Sequence, residues 1–99
     1  MTDRAAHREV AAQEVARLTA QLAALPQEGV VAELVELGGH LERAIRAFHM
    51  EAIRFRAYSM RRLIKLNADA LPADVQAAMD RIVAALEAAG FQTRSVSPP

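Results

Sequence analysis

Apolar residues recur at spacings of three and four along most of the chain, and the longest such stretch, Val30–Asn67, predicts one very long helix. Wound at about 100° per residue, it separates three sectors. Leu34, Leu37, Leu41, Ala44, Ile45, Phe48, Ala52, Phe55, Leu63 and Leu66 form a dense apolar stripe. Glu33, Glu36, His40, Arg43, Glu51, Arg54, Arg61 and Lys65 form a polar face opposite it. Between the two lies a mixed shoulder of Val31, Val35, Glu42, Arg46, His49, Ile53, Met60 and Ile64. A surface helix ordinarily carries one stripe and no shoulder, so this helix is expected to pack on two sides.

The blemish in the stretch is Gly38-Gly39. Each glycine inside a helix costs about 1 kcal/mol relative to alanine. His40 and Leu41 are poor caps for a new helix, which favours a kink within a continuous helix over a break. Acids precede bases along and just before the stretch, Glu28, Glu33, Glu36 and Glu42 ahead of Arg43, Arg46, Arg54, Arg56, Arg61, Arg62 and Lys65, with only Glu51 out of order. That order complements the helix dipole.

The flanking segments predict two shorter helices. Thr2 or Asp3 caps the first, which runs to Leu25 with Ala11, Val15, Leu18, Leu22 and Leu25 as its buried seam. Pro26-Gln27-Glu28-Gly29 is short enough to make the first two helices antiparallel neighbours. Pro72 opens the last helix, with Val75, Met79, Ile82, Leu86 and Ala89 buried. Gly90 then serves as a glycine C-cap, with Phe91 folding back near Leu86. Residues 1–91 read as a single helical-bundle domain and 92–99, polar and ending Pro-Pro, as a flexible tail.

A helix over the whole central stretch would be about 57 Å long at 1.5 Å per residue, against a radius of gyration near 13 Å for a compact domain of this size. The short helices would tile one side of it and leave the shoulder bare. The expected fold is therefore all-α: a three-helix chain with one long central helix, an antiparallel bundle completed by homodimerisation. The expected dimer interface is Val31, Val35, Glu42, Arg46, His49, Ile53, Met60 and Ile64, crossed antiparallel about an axis near residues 45–46. Glu42 would there meet the partner's Arg46 or His49. A break at the glycines would give the alternative, a monomeric four-helix bundle.

Composition narrows the function. The 22 alanines and four aromatics make a thin core of closely packed helices. Twelve bases balance twelve acids, which removes the long-range field of a dedicated nucleic-acid binder. The absence of cysteine excludes disulfide and thiolate chemistry. No run of apolar residues is long enough to span a membrane, and a cytoplasmic location is expected.

Candidate chemistry is sparse. Glu36 and His40 lie one turn apart, but the spacing differs from the Glu-x-x-His of helical di-iron sites and no second copy exists. No metal, cofactor or catalytic residue is assigned. Arg54, Arg56, Tyr58, Arg61, Arg62 and Lys65 form a basic cluster around an aromatic ring, of a composition that binds polyanions. Asp69, Asp74 and Asp80, brought alongside by the last helix, are expected to offset it. The function that follows is protein–protein binding by a small self-associating helical protein, as a scaffold, adaptor or regulator. A dimeric nucleic-acid-binding protein using the basic half of the long helix is the first alternative, and a metal-binding or enzymatic bundle the second.

Overall fold

The computed structural model describes residues 3–91 and residue 93. Four α-helices account for most of them: α1 (Asp3–Ala23), α2 (Val30–Arg46), α3 (Met50–Leu66) and α4 (Asp74–Ala88). A single 3-10 turn, Ala68–Ala70, joins the last two, and no strand occurs among the described residues. The radius of gyration is 12.9 Å, the value expected for one packed domain of this length.

Helix α1 is the centre of the bundle. It packs against both α2 and α4, while α3 packs mainly on α2 and touches α4 only slightly. Its buried residues are Ala11, Ala12, Val15, Leu18 and Leu22, the predicted seam with Ala12 added, while Leu25 lies beyond the helix end and is only partly buried. The α1–α2 turn is tied by Gln27, whose side-chain amide donates to the Leu22 and Leu25 carbonyls at 3.0 and 2.7 Å.

Helix α2 runs through Gly38-Gly39 without interruption. Gly38 is buried at the crossing with α1, where a Cβ would overlap Thr19 Oγ1 and lie 3.2 Å from Thr19 Cβ. The glycine is there for close backbone approach, a packing role that the sequence pattern does not distinguish from a kink.

The single long helix is corrected by the structure. The chain leaves the helix at Ala47–His49, eight residues beyond the glycines. Phe48 takes a φ of +59°, the one positive φ at a non-glycine among the described residues. Its N–H donates to the Ile45 carbonyl at 3.1 Å and the His49 N–H donates to Ala44 at 3.0 Å. Those two bonds make a Schellman motif with phenylalanine where glycine is usual. The end of α4 repeats it with the usual residue: Gly90 (φ +94°) donates to Glu87 at 3.0 Å and Phe91 to Leu86 at 2.9 Å.

Left-handed backbone costs a residue with a side chain about 1–2 kcal/mol, and tertiary contacts offset it at Phe48. The ring stands edge-on to Phe91, with centroids 5.6 Å apart and planes at 87°. The Arg8 guanidinium lies 5.1 Å over the ring and donates to the Ile45 carbonyl at 3.3 Å. The break is thus held by α1 and by the α4 cap, neither of which is near in sequence.

This corner has a measurable signature. Inside a helix alanine is more stable than glycine by about 1 kcal/mol, whereas at a left-handed position glycine is the better residue. Both Phe48→Ala and Phe48→Gly lose the ring contacts, so their difference isolates the backbone. Urea denaturation is expected to find Phe48→Gly the more stable of the two by about 1 kcal/mol. The reverse order would mean that the helix continues through residue 48.

Helix α4 buries Val75, Ala78, Met79, Ile82, Val83 and Leu86, and Phe91 folds back into the core at 4% exposure. Thr93 is buried too, its hydroxyl donating to Glu87 at 3.1 Å. The rest of the expected flexible tail lies outside the described residues, as does Thr2, the alternative first cap.

Candidate functional site, the outer face of α3

Three non-helical residues at the corner reset the rotation of everything after them. Helix α3 buries Ile53, Ala57, Met60 and Ile64 against its own chain. Those residues follow one another at spacings of four, three and four, a complete amphipathic stripe. Ile53, Met60 and Ile64 were expected at a dimer interface. All three are instead covered within one chain, at 0–1% exposure, and need no second copy to bury them.

The residues displaced from the core are those that the unbroken helix would have buried. Phe55 is 60% exposed and Leu66 68%. Ala52 and Leu63 are half-buried at the margin of the core, and Ser59, between them in sequence, is half-buried as well. Ala52, Phe55, Ser59, Leu63 and Leu66 follow spacings of three, four, four and three, so they share one outward stripe of α3. The helix therefore has two apolar stripes, one in the core and one on the surface.

The edges of the outer stripe are polar. Glu51, Tyr58, Arg62 and Lys65 lie along one edge by their helical positions, with acid at the N-terminal end and bases at the other. Glu51 is 83% exposed and accepts a hydrogen bond from Arg54 at 3.1 Å. The Arg62 guanidinium donates to the Tyr58 hydroxyl at 3.5 Å. Arg56 lies along the opposite edge, its guanidinium 5.5 Å over the Phe55 ring.

The other expected interface residues are placed differently. Val31 and Val35 are half-buried against the core. Arg46 donates to Glu42 at 3.1 Å and to Glu9 of α1 at 3.3 Å, all within one chain. The Arg46 pKa is raised above its ordinary value, first by the bond to Glu42 and further by Glu9. His49 is exposed, immediately before α3. Glu42 and Arg46, expected to set a dimer register near residues 45–46, are thus paired within α2 and, through Glu9, with α1, and the chain turns a corner at Ala47–His49.

The polyanion candidates divide. Arg54, Tyr58, Arg61, Arg62 and Lys65 fall within an arc of about 100° on α3, and Arg56 lies apart from them. Among the described residues, Asp69, Asp74 and Asp80 make no ion pair with these bases. Asp74 accepts from Gln21 at 3.0 Å and Asp80 from Gln76 at 3.4 Å. Among the described residues the basic arc has Glu51 as its ion-pair partner, through Arg54.

Clefts among the described residues lie elsewhere. One of about 330 Å³ is lined by Arg4, Ala5, Arg8, Phe48, Met50, Ala89, Gly90 and Phe91. Its arginines serve the neighbouring helix C-termini, Arg8 on the Ile45 carbonyl and Arg4 packed against Gly90. Another, of about 790 Å³, lies between the two turns at the opposite end of the bundle, lined by residues that include Leu25, Val30, Val31 and Pro72. No three His, Asp or Glu side chains among the described residues form a group fit to hold a metal ion. No helix there is long and apolar enough to cross a membrane. Comparisons with protein-family models, with curated proteins and with solved structures find no significant match.

The apolar spacing of the central stretch places Phe55 and Leu66 in the core and does not reveal the outer face. The available signal was that α3 carries two apolar stripes, Ile53-Ala57-Met60-Ile64 and Ala52-Phe55-Leu63-Leu66. Which of them would face the core depended on the corner at Phe48.

Proposed function

We propose that this protein acts by protein–protein binding, that the outer face of α3 is its contact surface, and that a second copy of the chain is the partner the face suits. The observation that carries the reading is the second apolar stripe, with Phe55 and Leu66 more than half exposed on a helix whose other stripe already fills the core. Single exposed apolar residues are ordinary on protein surfaces. A row at helical spacing, rimmed by charge, is the pattern of a helix that docks on another. Self-association explains why the rim carries both signs, since a surface that pairs with itself must offer each charge its opposite.

Sedimentation equilibrium across the micromolar range tests this. Reversible dimers are expected, and Leu66→Glu is expected to shift the equilibrium to monomer while leaving the circular dichroism spectrum unchanged. A wild-type chain that stays monomeric at high micromolar concentration would sink the reading.

A second reading has its own observation, the basic arc of Arg54, Arg61, Arg62 and Lys65 around Tyr58, which among the described residues makes no ion pair with the last-helix acids. It supports weak, salt-sensitive polyanion binding. A zero net charge limits its reach. Heparin or single-stranded DNA is expected to bind at low ionic strength and to be released at physiological salt. Sub-micromolar binding at physiological salt, lost in the Arg61→Glu/Arg62→Glu variant, would make nucleic acid the principal partner instead.

A further inference from the structure

The outer stripe is a palindrome. Counting from Ser59, Phe55 lies four residues before it and Leu63 four after, while Ala52 lies seven before and Leu66 seven after. We infer that two copies pair α3 against α3, antiparallel, about a twofold axis at Ser59; this rests on the self-association proposed above and specifies its geometry.

In an antiparallel helix pair about a twofold axis, each residue a given number of positions before the axis faces the residue as many positions after it. Ala52 then faces the partner's Leu66, so the smallest apolar side chain of the stripe receives a large, exposed one. Phe55 faces the partner's Leu63, an aromatic against an aliphatic at the two heptad-like positions nearest the axis. Ser59 faces its own copy, and two small residues at the crossing let the backbones approach closely. A slip of one turn would place Phe55 against the serine and leave an end leucine over solvent, so the sizes select the register.

The charged edge selects the direction. In antiparallel pairs like edges lie together, which sets the Glu51 end of one chain beside the Arg62–Lys65 end of the other. Glu51 lies eight residues before the axis and Lys65 six after it, within reach of an ion pair, and the twofold makes that pair twice. Tyr58 is brought beside the partner's Arg62. Parallel pairing would set this edge against the partner's opposite edge, so that Lys65 no longer meets Glu51, and would align the helix dipoles as well. Glu51, at 83% exposure, is free to turn from Arg54 towards the partner.

The absence of cysteine in the chain makes the register directly readable. Ser59→Cys, equilibrated in oxidised glutathione, is expected to give a disulfide-linked dimer on a non-reducing gel. Adding Phe55→Glu is expected to suppress it, which separates pairing from random collision. In an equimolar mixture of Ala52→Cys and Leu66→Cys chains, cross-links between unlike chains are expected to dominate over those between like chains. Glu51→Lys is expected to weaken the dimer roughly tenfold, with recovery in Glu51→Lys/Lys65→Glu.

The failures are distinguishable. If wild type sediments as a dimer but Ser59→Cys does not cross-link, or Ala52→Cys chains link to one another, the antiparallel register is overturned and self-association stands. If wild type is monomeric throughout, both are overturned.

Discussion

Ile53→Asp is expected to unfold the protein, and Phe55→Asp, two residues away on the same helix, to leave its fold intact. Ile53 has 0% exposure in the middle of the α3 core stripe. Replacing it removes a buried aliphatic side chain, at about 2–5 kcal/mol, and adds a carboxylate with no partner in an apolar site. A combined loss of at least about 4 kcal/mol is comparable with the lower end of the stability of a small domain, about 5–15 kcal/mol, and this thin, alanine-rich core is expected at that end. Phe55 is 60% exposed, with the Arg56 guanidinium 5.5 Å over its ring. Substitution there is expected to change monomer stability by no more than about 0.5 kcal/mol and to weaken self-association. Thermal denaturation of the two variants, followed by circular dichroism and paired with sedimentation, checks both halves. If Ile53→Asp melts normally, or Phe55→Asp unfolds the chain, the assignment of the two stripes to core and surface is reversed.

Gly38→Ala and Gly39→Ala are expected to move stability in opposite directions, although both residues are glycines in the middle of α2. At Gly39 a Cβ would meet only Arg43 Nη1, at 3.6 Å. Alanine there gains helix propensity and is expected to stabilise by about 0.5–1 kcal/mol. At Gly38 the added methyl collides with Thr19, a side chain pinned by its own hydrogen bond to the Val15 carbonyl at 2.8 Å. Overpacking of this kind costs about 1–3 kcal/mol, which outweighs the propensity gain and forces α1 and α2 apart. Thr19→Ala should recover part of the loss in the double variant, because the colliding hydroxyl is gone while the Cβ remains close. Urea midpoints of the four proteins make a double-mutant cycle. Equal effects at the two glycines would mean that the close approach at Thr19 does not exist.

The sequence by itself determined the helical periods, the α1 seam, the turns at Pro26–Gly29 and Asn67–Pro72, and the Gly90–Phe91 cap, because each is written in local spacing and in residues with a local backbone preference. It also showed that the central stretch has more apolar surface than one face can hold. Only the tertiary structure decided where that stretch turns and which face is left outside. Gly38-Gly39 looked like the weak point, yet the glycine is needed there for the approach of Thr19 from another helix. Phe48 looked like a core residue, yet it carries the left-handed turn, because Arg8, Phe91 and the Ile45 carbonyl gather at that corner from distant parts of the chain. Helical phase is cumulative, so a turn of three residues re-aims all seventeen of α3. A stripe pattern alone does not record where the count restarts, and that restart exchanged Phe55 and Leu66 for Ile53, Met60 and Ile64 in the core.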